Sequence, residues 1–182
     1  MEEKVRCFIA IDFSREIVKE IERVQEEIKK KNLMVGKFTE SENLHLTLKF
    51  LGEIEQEKVE EVKKKLKEIK FSKFLAYIGD LGVFSSNFIK IVWVQTLGKQ
   101  VLELQKEIEL KLNGMFEAEE RFMSHLTIAR VKRVKDKKMF LDALKEIKVR
   151  NIGSEIDCFY LMKSELKDFG PEYSVLEKYS LN

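Results

Sequence analysis

The chain has 182 residues, of which 44% are hydrophobic and 36% charged, and its formal net charge is +2. This length suits one domain or two small lobes that share a core, and the aromatic and aliphatic content excludes a disordered protein. No apolar run approaches the ~20 residues that a membrane-spanning helix needs, and the N-terminus lacks the pattern of a secretory signal.

The first half of the chain combines three strand patterns with two helix patterns. Apolar runs and alternation predict strands at residues 5–12, 44–51 and 74–84. Ser14 stands where it can N-cap the first of two amphipathic helices. The apolar residues at helical spacing are Ile17, Ile21, Val24 and Ile28 in the first helix and Val59, Val62, Leu66 and Ile69 in the second.

The second half repeats this order. The predicted elements are strands at 88–95, 124–131 and 155–162, helices at 99–112 and 137–147, and a last strand at 172–179 after a turn at Gly170–Pro171. Corresponding elements lie 80 to 85 residues apart, which indicates approximate repeats at 5–84 and 88–162. Two copies of strand–helix–strand–helix–strand predict a single α+β domain made of two related lobes.

The two histidines of the chain occupy the same local sequence, His45-Leu46-Thr47 and His125-Leu126-Thr127, 80 residues apart. Only four threonines are present, and chance would place two of them in this way in about 1 of 3,000 shuffled chains, which supports a true repeat. The period of a strand puts each histidine and threonine on one face. On the first strand we expect an opposite, apolar face formed by Leu44, Leu46, Leu48 and Phe50.

Such a matched pair suggests acid–base chemistry on a phosphate. If the repeat brings the two polar faces together across a cleft, two imidazoles with ordinary pKa values near 6.5 can act as general acid and general base. The hydroxyls of Thr47 and Thr127 can then hydrogen-bond the oxygens of a tetrahedral anion. This chemistry needs neither a metal nor another cofactor.

Two other interpretations stay open at this point. A single His-x-Thr strand is usually structural, with a histidine hydrogen-bonded at a strand edge. Metal binding is the rival chemistry, but two histidines without a third ligand at fixed spacing are a weak signal for zinc. Cys7 and Cys158 are isolated in the sequence, which predicts two free, buried thiols in a reduced cytoplasmic protein.

A basic run follows the second motif, since six of the nine residues from Arg130 to Lys138 are cationic. The run is either a solvated face or a surface for a phosphate chain. Arg130 can bind a phosphate oxygen bidentately, but a bulge or a strand end is needed to turn it toward His125. Lys49, on the His45 face, is the corresponding cation of the first half. Weaker candidates for the rim of the cleft are Gly82, Phe84, Ser85, Ser164 and Tyr173.

Four segments together resemble the 2H phosphoesterase family. They are VRCFIAID (5–12), NLHLTLKFLGE (43–53), SHLTIAR (124–130) and LMKSELKDFGPEY (161–173), and within the family they are most similar to the bacterial and archaeal RNA 2′,3′-cyclic phosphodiesterases, historically called 2′-5′ RNA ligases. The resemblance implies a bilobal fold in which antiparallel sheets line a central cleft and helices lie outside. It also implies that the protein acts on RNA. Separately from the resemblance, we expect a cytoplasmic monomer that needs no metal or cofactor.

The same resemblance implies the residue roles. His45 is expected to be the proton donor and His125 the proton acceptor, with Thr47, Thr127 and Arg130 binding the phosphate. The expected reaction converts a 2′,3′-cyclic phosphate end of RNA into a 2′-phosphomonoester, and many relatives also join tRNA halves through a 2′-5′ bond. The alternatives are a phosphodiesterase for a small cyclic nucleotide or an ADP-ribose cyclic phosphate, and a non-catalytic RNA-binding module of the same fold.

Overall fold

The computed structural model describes residues 4–168 and 170–182 as nine strands and four α-helices. The strands are β1 (Lys4–Ile11), β2 (Met34–Phe38), β3 (Leu46–Glu55), β4 (Phe74–Val83), β5 (Ile91–Leu97), β6 (His125–Val134), β7 (Gly153–Ile156), β8 (Cys158–Lys167) and β9 (Gly170–Ser180). The helices are α1 (Arg15–Lys31), α2 (Gln56–Lys67), α3 (Lys99–Lys111) and α4 (Lys137–Glu146). In this part of the chain no helix is long and apolar enough to cross a bilayer.

Two antiparallel sheets form the framework, which confirms the predicted α+β class. The first sheet has the order β3-β1-β8-β9 and the second has the order β2-β6-β5-β4-β7. Each sheet therefore takes strands from both halves of the sequence. The two halves are interleaved, so neither lobe is built from one continuous stretch of chain.

Helices α1 and α3 each pack against the sheet that does not contain the strand preceding them. Helix α1 follows a strand of the first sheet, but its apolar face packs in the core of the second sheet with β5 and β6. Helix α3 follows a strand of the second sheet and packs with α2 in the core of the first. The four inward residues of α1 are almost fully buried, and burial of each such side chain contributes about 1.5–3 kcal/mol. Each of the two cores therefore contains a helix that follows a strand of the other sheet.

Two local predictions differ from the structure, and one strand was not predicted. The predicted strand 155–162 is broken at Asp157, and its two parts pair in different sheets: β7 with β4, and β8 with β1 and β9. Gly170 and Pro171 are the first residues of β9 and not a turn. Strand β2 was missed because most of its residues are exposed at a sheet edge, so that its sequence carries little apolar pattern.

Two further local predictions concern Ser14 and the cysteines. Ser14 occupies the N-cap position of α1, but its hydroxyl makes no capping hydrogen bond. Cys7 and Cys158 are free and buried, as predicted.

One buried carboxylate ties α1 to the segment before β7. Glu20 is 0% exposed, and its oxygens accept hydrogen bonds from Arg23 and from both the backbone and the side chain of Arg150 at 2.5–3.0 Å. Burial alone would raise the pKa of Glu20, but these hydrogen bonds outweigh it and lower the pKa to about 2. The folded state therefore favours the charged carboxylate.

We expect Glu20→Gln to lower the free energy of unfolding by about 2 kcal/mol at pH 7, with allowance for solvent around the two arginines. Because the folded-state pKa lies below the unfolded value of about 4.5, the stabilisation is complete above pH 4.5 and is lost as the pH falls toward 2. Urea unfolding from pH 7 to pH 2.5 measures this difference, with Glu61→Gln on the exposed face of α2 as the control. A constant difference across this range would contradict the assignment.

Candidate active site

The two histidine motifs face one cleft between the sheets. The cleft has a volume of about 610 Å³, and its lining includes His45, Thr47, His125, Thr127 and Arg130. His45 directly precedes β3 of the first sheet, and His125 is the first residue of β6 in the second. The structure therefore brings together all five residues singled out from the sequence.

A short crossover sets the distance between the two motifs. Residues 39–45 lead from β2 in the second sheet to His45 at the edge of the first. Thr39 donates its backbone N–H to the carbonyl of Ile128 at 3.0 Å and its hydroxyl to the carbonyl of Thr127 at 2.9 Å. The buried amide of Gln25 donates to the carbonyls of Thr39 and Ile128, both at 2.9 Å. The segment that carries the first histidine is thus hydrogen-bonded to the backbone of the second motif.

The two imidazoles have the same tautomer. Nδ1 of His45 lies 2.8 Å from the carbonyl oxygen of Asn43, and Nδ1 of His125 lies 2.7 Å from that of Met123. A carbonyl oxygen can only accept a hydrogen bond, so Nδ1 must carry the hydrogen in both rings. This leaves both Nε2 atoms available to take up or release a proton, which is the arrangement that acid–base chemistry requires.

The surroundings of the two rings differ. The imidazole of His45 contacts the rings of Phe8 and Tyr173, with centroids 4.9 and 5.1 Å away, and these two rings also contact each other at 5.0 Å. The imidazole of His125 meets the edge of one ring, Phe84, at 4.8 Å. His45 thus belongs to a cluster of three aromatic rings, which excludes water from part of its imidazole.

Burial lowers the pKa of both histidines. For His45 this desolvation is the largest influence, and the nearby charges of Arg130 and His125 lower its pKa further, to about 4, although the bond to Asn43 opposes the shift. For His125 desolvation also lowers the pKa below 6.5, and the bond to Met123 opposes it. At neutral pH both imidazoles are therefore uncharged in the free protein.

A bulge turns Arg130 into the cleft. In the pairing of β5 with β6, Val92 lies opposite Ala129 and Trp93 opposite Thr127, so Ile128 has no partner. This extra residue shifts the alternation, and Arg130 joins His125 and Thr127 in the lining. On the other side of β6, the backbone of Gly36 in β2 packs closely against the carbonyl of Arg130. Any side chain at position 36 would clash, because its Cβ would lie 2.2 Å from the Arg130 carbonyl oxygen. The bulge required for Arg130 is present.

Two further bulges, both in β3, make the prediction for Phe50 wrong. The register of β1 with β3 skips Leu48 and Leu51, so the alternation of β3 changes phase along the strand. Phe50, expected on the apolar face, is 70% exposed and lines the cleft, whereas Leu51 is buried in the core. A bulge carries no signal in the pattern of apolar residues, which is why the strict period predicted the wrong face.

Lys49 also lines the cleft, but its ammonium group is already engaged. The side chain is 3% exposed and forms an ion pair with Glu109 of α3 at 2.7 Å. It also donates a hydrogen bond to the carbonyl of Glu117 at 2.8 Å. Lys49 thus holds α3 and the segment before β6 against β3, and Arg130 is the cation with the clearer access to an anion.

Three of the five weaker candidates for the rim of the cleft lie in its lining. Phe84, Ser164 and Tyr173 line the cleft, whereas Gly82 and Ser85 do not belong to its lining. Sequence reasoning missed Phe8, which lies inside an apolar strand pattern and is placed against His45 only by the pairing of β1 with β3. Among the described residues, no three His, Cys, Asp or Glu side chains cluster closely enough to hold a metal ion.

Comparison with known proteins connects this cleft to one family. A family model described as "LigT like Phosphoesterase" matches the chain twice, at residues 11–94 and 91–173. A Methanocaldococcus jannaschii protein named "RNA 2′,3′-cyclic phosphodiesterase" is 37% identical over 180 residues, which cover 96% of this chain and 100% of that protein. A Thermotoga maritima protein of the same name is 33% identical and covers 94% of this chain and 93% of its own.

Solved structures show the same fold at lower identity. The protein TT0787 of Thermus thermophilus superposes with a TM-score of 0.81 at 23% identity and covers 97% of both chains. E. coli LigT complexed with 3′-AMP superposes with a TM-score of 0.73 at 22% identity and covers 98% of this chain and 99% of that one.

We expect the imidazoles of His45 and His125 to titrate separately, with His45 at about pH 4 and His125 below pH 6.5. Because the chain has only two histidines, NMR resolves both ring signals directly. Tyr173→Ala admits water to the His45 ring and raises its pKa, whereas Tyr173→Phe keeps the ring contact and leaves the pKa unchanged. Equal midpoints in the two variants would contradict the role of the aromatic contact.

Proposed function

The chain belongs to the LigT-like phosphoesterase family, and we propose that it hydrolyses the 2′,3′-cyclic phosphodiester at the end of an RNA strand to a 2′-phosphate. The observation that carries this proposal is the pair of His-x-Thr motifs, which face one cleft from two sheets and have both Nε2 atoms free for proton transfer. The names of the relatives, RNA 2′,3′-cyclic phosphodiesterase, support the same reaction.

The cleft supplies groups for each part of such a substrate. The hydroxyls of Thr47 and Thr127 donate hydrogen bonds to the non-bridging phosphate oxygens, and the guanidinium of Arg130 pairs with their charge. Two aromatic rings at the cleft, Phe50 and Phe84, are 70% and 51% exposed and offer apolar surface to a nucleoside. E. coli LigT, which has the same fold, was solved in complex with 3′-AMP, and this supports a nucleotide as the ligand.

The reaction requires one neutral and one protonated histidine. Neutral His125 accepts a proton from water at Nε2 as the water oxygen attacks phosphorus in line with the 3′-oxygen. The bond from phosphorus to the 3′-oxygen breaks, and protonated His45 donates its Nε2 proton to this leaving oxygen. The ester at the 2′-oxygen remains, so the product is a 2′-phosphate with a free 3′-hydroxyl.

The low pKa of His45 in the free protein makes substrate binding part of the mechanism. An anionic phosphate beside His45 favours the imidazolium form, and it also neutralises the charge of Arg130, which otherwise lowers the pKa. Binding of the substrate is therefore coupled to uptake of a proton by His45. The general acid becomes charged only when the group that needs its proton is present.

We propose that the same cleft can also join two RNA strands. If the 5′-hydroxyl of a second RNA replaces water, His125 accepts its proton and the product is a 2′-5′ phosphodiester. The two ends of a cleaved tRNA are substrates of this kind. Hydrolysis and ligation thus use one site and differ in the nucleophile that reaches phosphorus.

We expect an RNA oligonucleotide with a 2′,3′-cyclic end to gain the mass of one water when incubated with the protein, with or without EDTA. Mass spectrometry measures the gain, and ³¹P NMR places the phosphate on the 2′-oxygen. His45→Ala and His125→Ala each lower turnover by roughly 100-fold or more, because each removes one proton transfer.

The signal of the remaining histidine and the thermal midpoint verify that each variant is folded. Unchanged RNA after incubation with the wild-type protein would overturn the reaction. Near-normal turnover by either folded variant would overturn the assigned roles.

We expect bell-shaped pH profiles for kcat/KM and for kcat, with the kcat profile shifted to higher pH. The first reports pKa values of the free protein, where both histidines lie below 6.5, and the second reports the complex, where the phosphate raises the pKa of His45. Steady-state kinetics from pH 4 to pH 9 measures both. If the profiles of kcat and kcat/KM coincide, substrate binding is not coupled to proton uptake by His45. A rate that rises steadily with pH would contradict catalysis by two histidines.

A further inference from the structure

A second depression lies beside the cleft, between the β4–β5 loop and helix α4. It has a volume of about 330 Å³, and we call it the α4 hollow; its lining includes Ser86, Asn87, Lys137, Lys138, Asp142 and Lys145. The hollow shares a loop with the cleft, because Phe84 lines the cleft and Ser86 lines the hollow. Two residues span at most about 7 Å, so the hollow begins close to the edge of the cleft. An RNA strand that leaves the cleft past Phe84 therefore reaches the hollow within about two phosphates.

The hollow carries an excess of positive charge. Lys145 is paired with Asp142 at 3.1 Å. Lys137 and Lys138 are exposed, and neither forms an ion pair with a residue that the structure describes. They occupy the first turn of α4, where the helix dipole disfavours cations. Their position therefore does not stabilise the helix, but it suits the binding of an anion.

Two other margins of the cleft are less suited to a polyanion. Near the tip of the β8–β9 hairpin, Lys163 and Lys167 are both paired with Glu165. Before β6, the segment 117–121 has the sequence EAEER, so that Arg121 stands among acidic residues. The α4 side is where exposed lysines adjoin the cleft without carboxylate partners among the described residues.

The loop beside the hollow also has exposed aromatic rings. Phe84 is 51% exposed and Phe88 is 68% exposed. The ammonium of Lys90 lies 4.8 Å from the centroid of the Phe88 ring. Aromatic rings combined with cations are typical of surfaces that bind single-stranded nucleic acids, since unpaired bases stack on the rings while the cations follow the phosphates.

We propose that the α4 hollow binds the single-stranded RNA that continues from the cyclic end held in the cleft, with Lys137 and Lys138 on its phosphates and Phe88 against a base. This inference rests on the proposed function and extends it, because it assigns a preference for a strand over a mononucleotide. It also separates the basic run into parts with different tasks. Arg130 serves the reacting phosphate, and Lys137 and Lys138 serve the phosphates that follow.

The double variant Lys137→Ala/Lys138→Ala tests the inference. Each phosphate contact on a single strand makes log K fall by about 0.7 per unit of log[salt], so two contacts contribute about 1.4 to this slope. Removing both lysines therefore lowers the affinity for RNA by roughly 10- to 25-fold at ~0.1 M salt. We expect this loss in kcat/KM for an unstructured ten-nucleotide RNA with a cyclic end, and a change below about twofold for a 2′,3′-cyclic mononucleotide. The matched control is Lys64→Ala/Lys65→Ala, which removes the same charge from the exposed face of α2.

Fluorescence anisotropy with the same ten-nucleotide RNA ending in a 2′-phosphate measures binding without turnover. A folded double variant that binds this RNA like the wild type, with the same salt slope, would overturn the inference. An equal loss in the control would also overturn it, because the effect would then be one of net charge. If the wild type cleaves neither substrate, the proposed function fails, and the anisotropy comparison still decides whether the two lysines bind RNA.

Discussion

The short hydrogen-bonded crossover between β2 and β3 is the constraint on which the site depends. Thr39 is bonded to the backbone of Thr127 and Ile128, and the buried amide of Gln25 closes the same group of hydrogen bonds. Six residues after Thr39 the chain reaches His45. The spacing of two histidines on different sheets is thus set by backbone bonds close to both, and not by the distant packing of two independent lobes.

The fold places the two copies of one repeated motif in different surroundings. Both imidazoles bond through Nδ1 to a carbonyl two residues earlier, so the local geometry is the same in the two copies. The difference comes from the neighbours that tertiary structure adds. Phe8 and Tyr173 both contact His45, whereas Phe84 contacts His125. Unequal exclusion of water then separates the acidities of two groups whose sequences are nearly identical.

Tertiary neighbours also make two similar cations of the site differ. Arg130 and Lys49 are corresponding cations in the two halves of the sequence, but the fold uses them differently. Lys49 is buried against Glu109 and the carbonyl of Glu117, and it joins elements of the fold. Arg130, turned by a bulge, stays available to an anion in the cleft. The ion pair gives Lys49 a structural role, whereas Arg130 can take the phosphate-binding role proposed above.

The sequence by itself determined the elements with strong periodicity, the α+β class and the pairing of two His-x-Thr motifs. These properties depend on residues close together in the chain, and alternation or helical spacing expresses them directly. Tertiary structure alone decided the exchange of α1 and α3 between sheets, the face of Phe50 and the position of Phe8 against His45. Bulges and strand pairing control these features, and both depend on hydrogen bonds between segments that are distant in sequence. A pattern of apolar residues along one segment contains no record of the partner strand, so only the folded chain could place them.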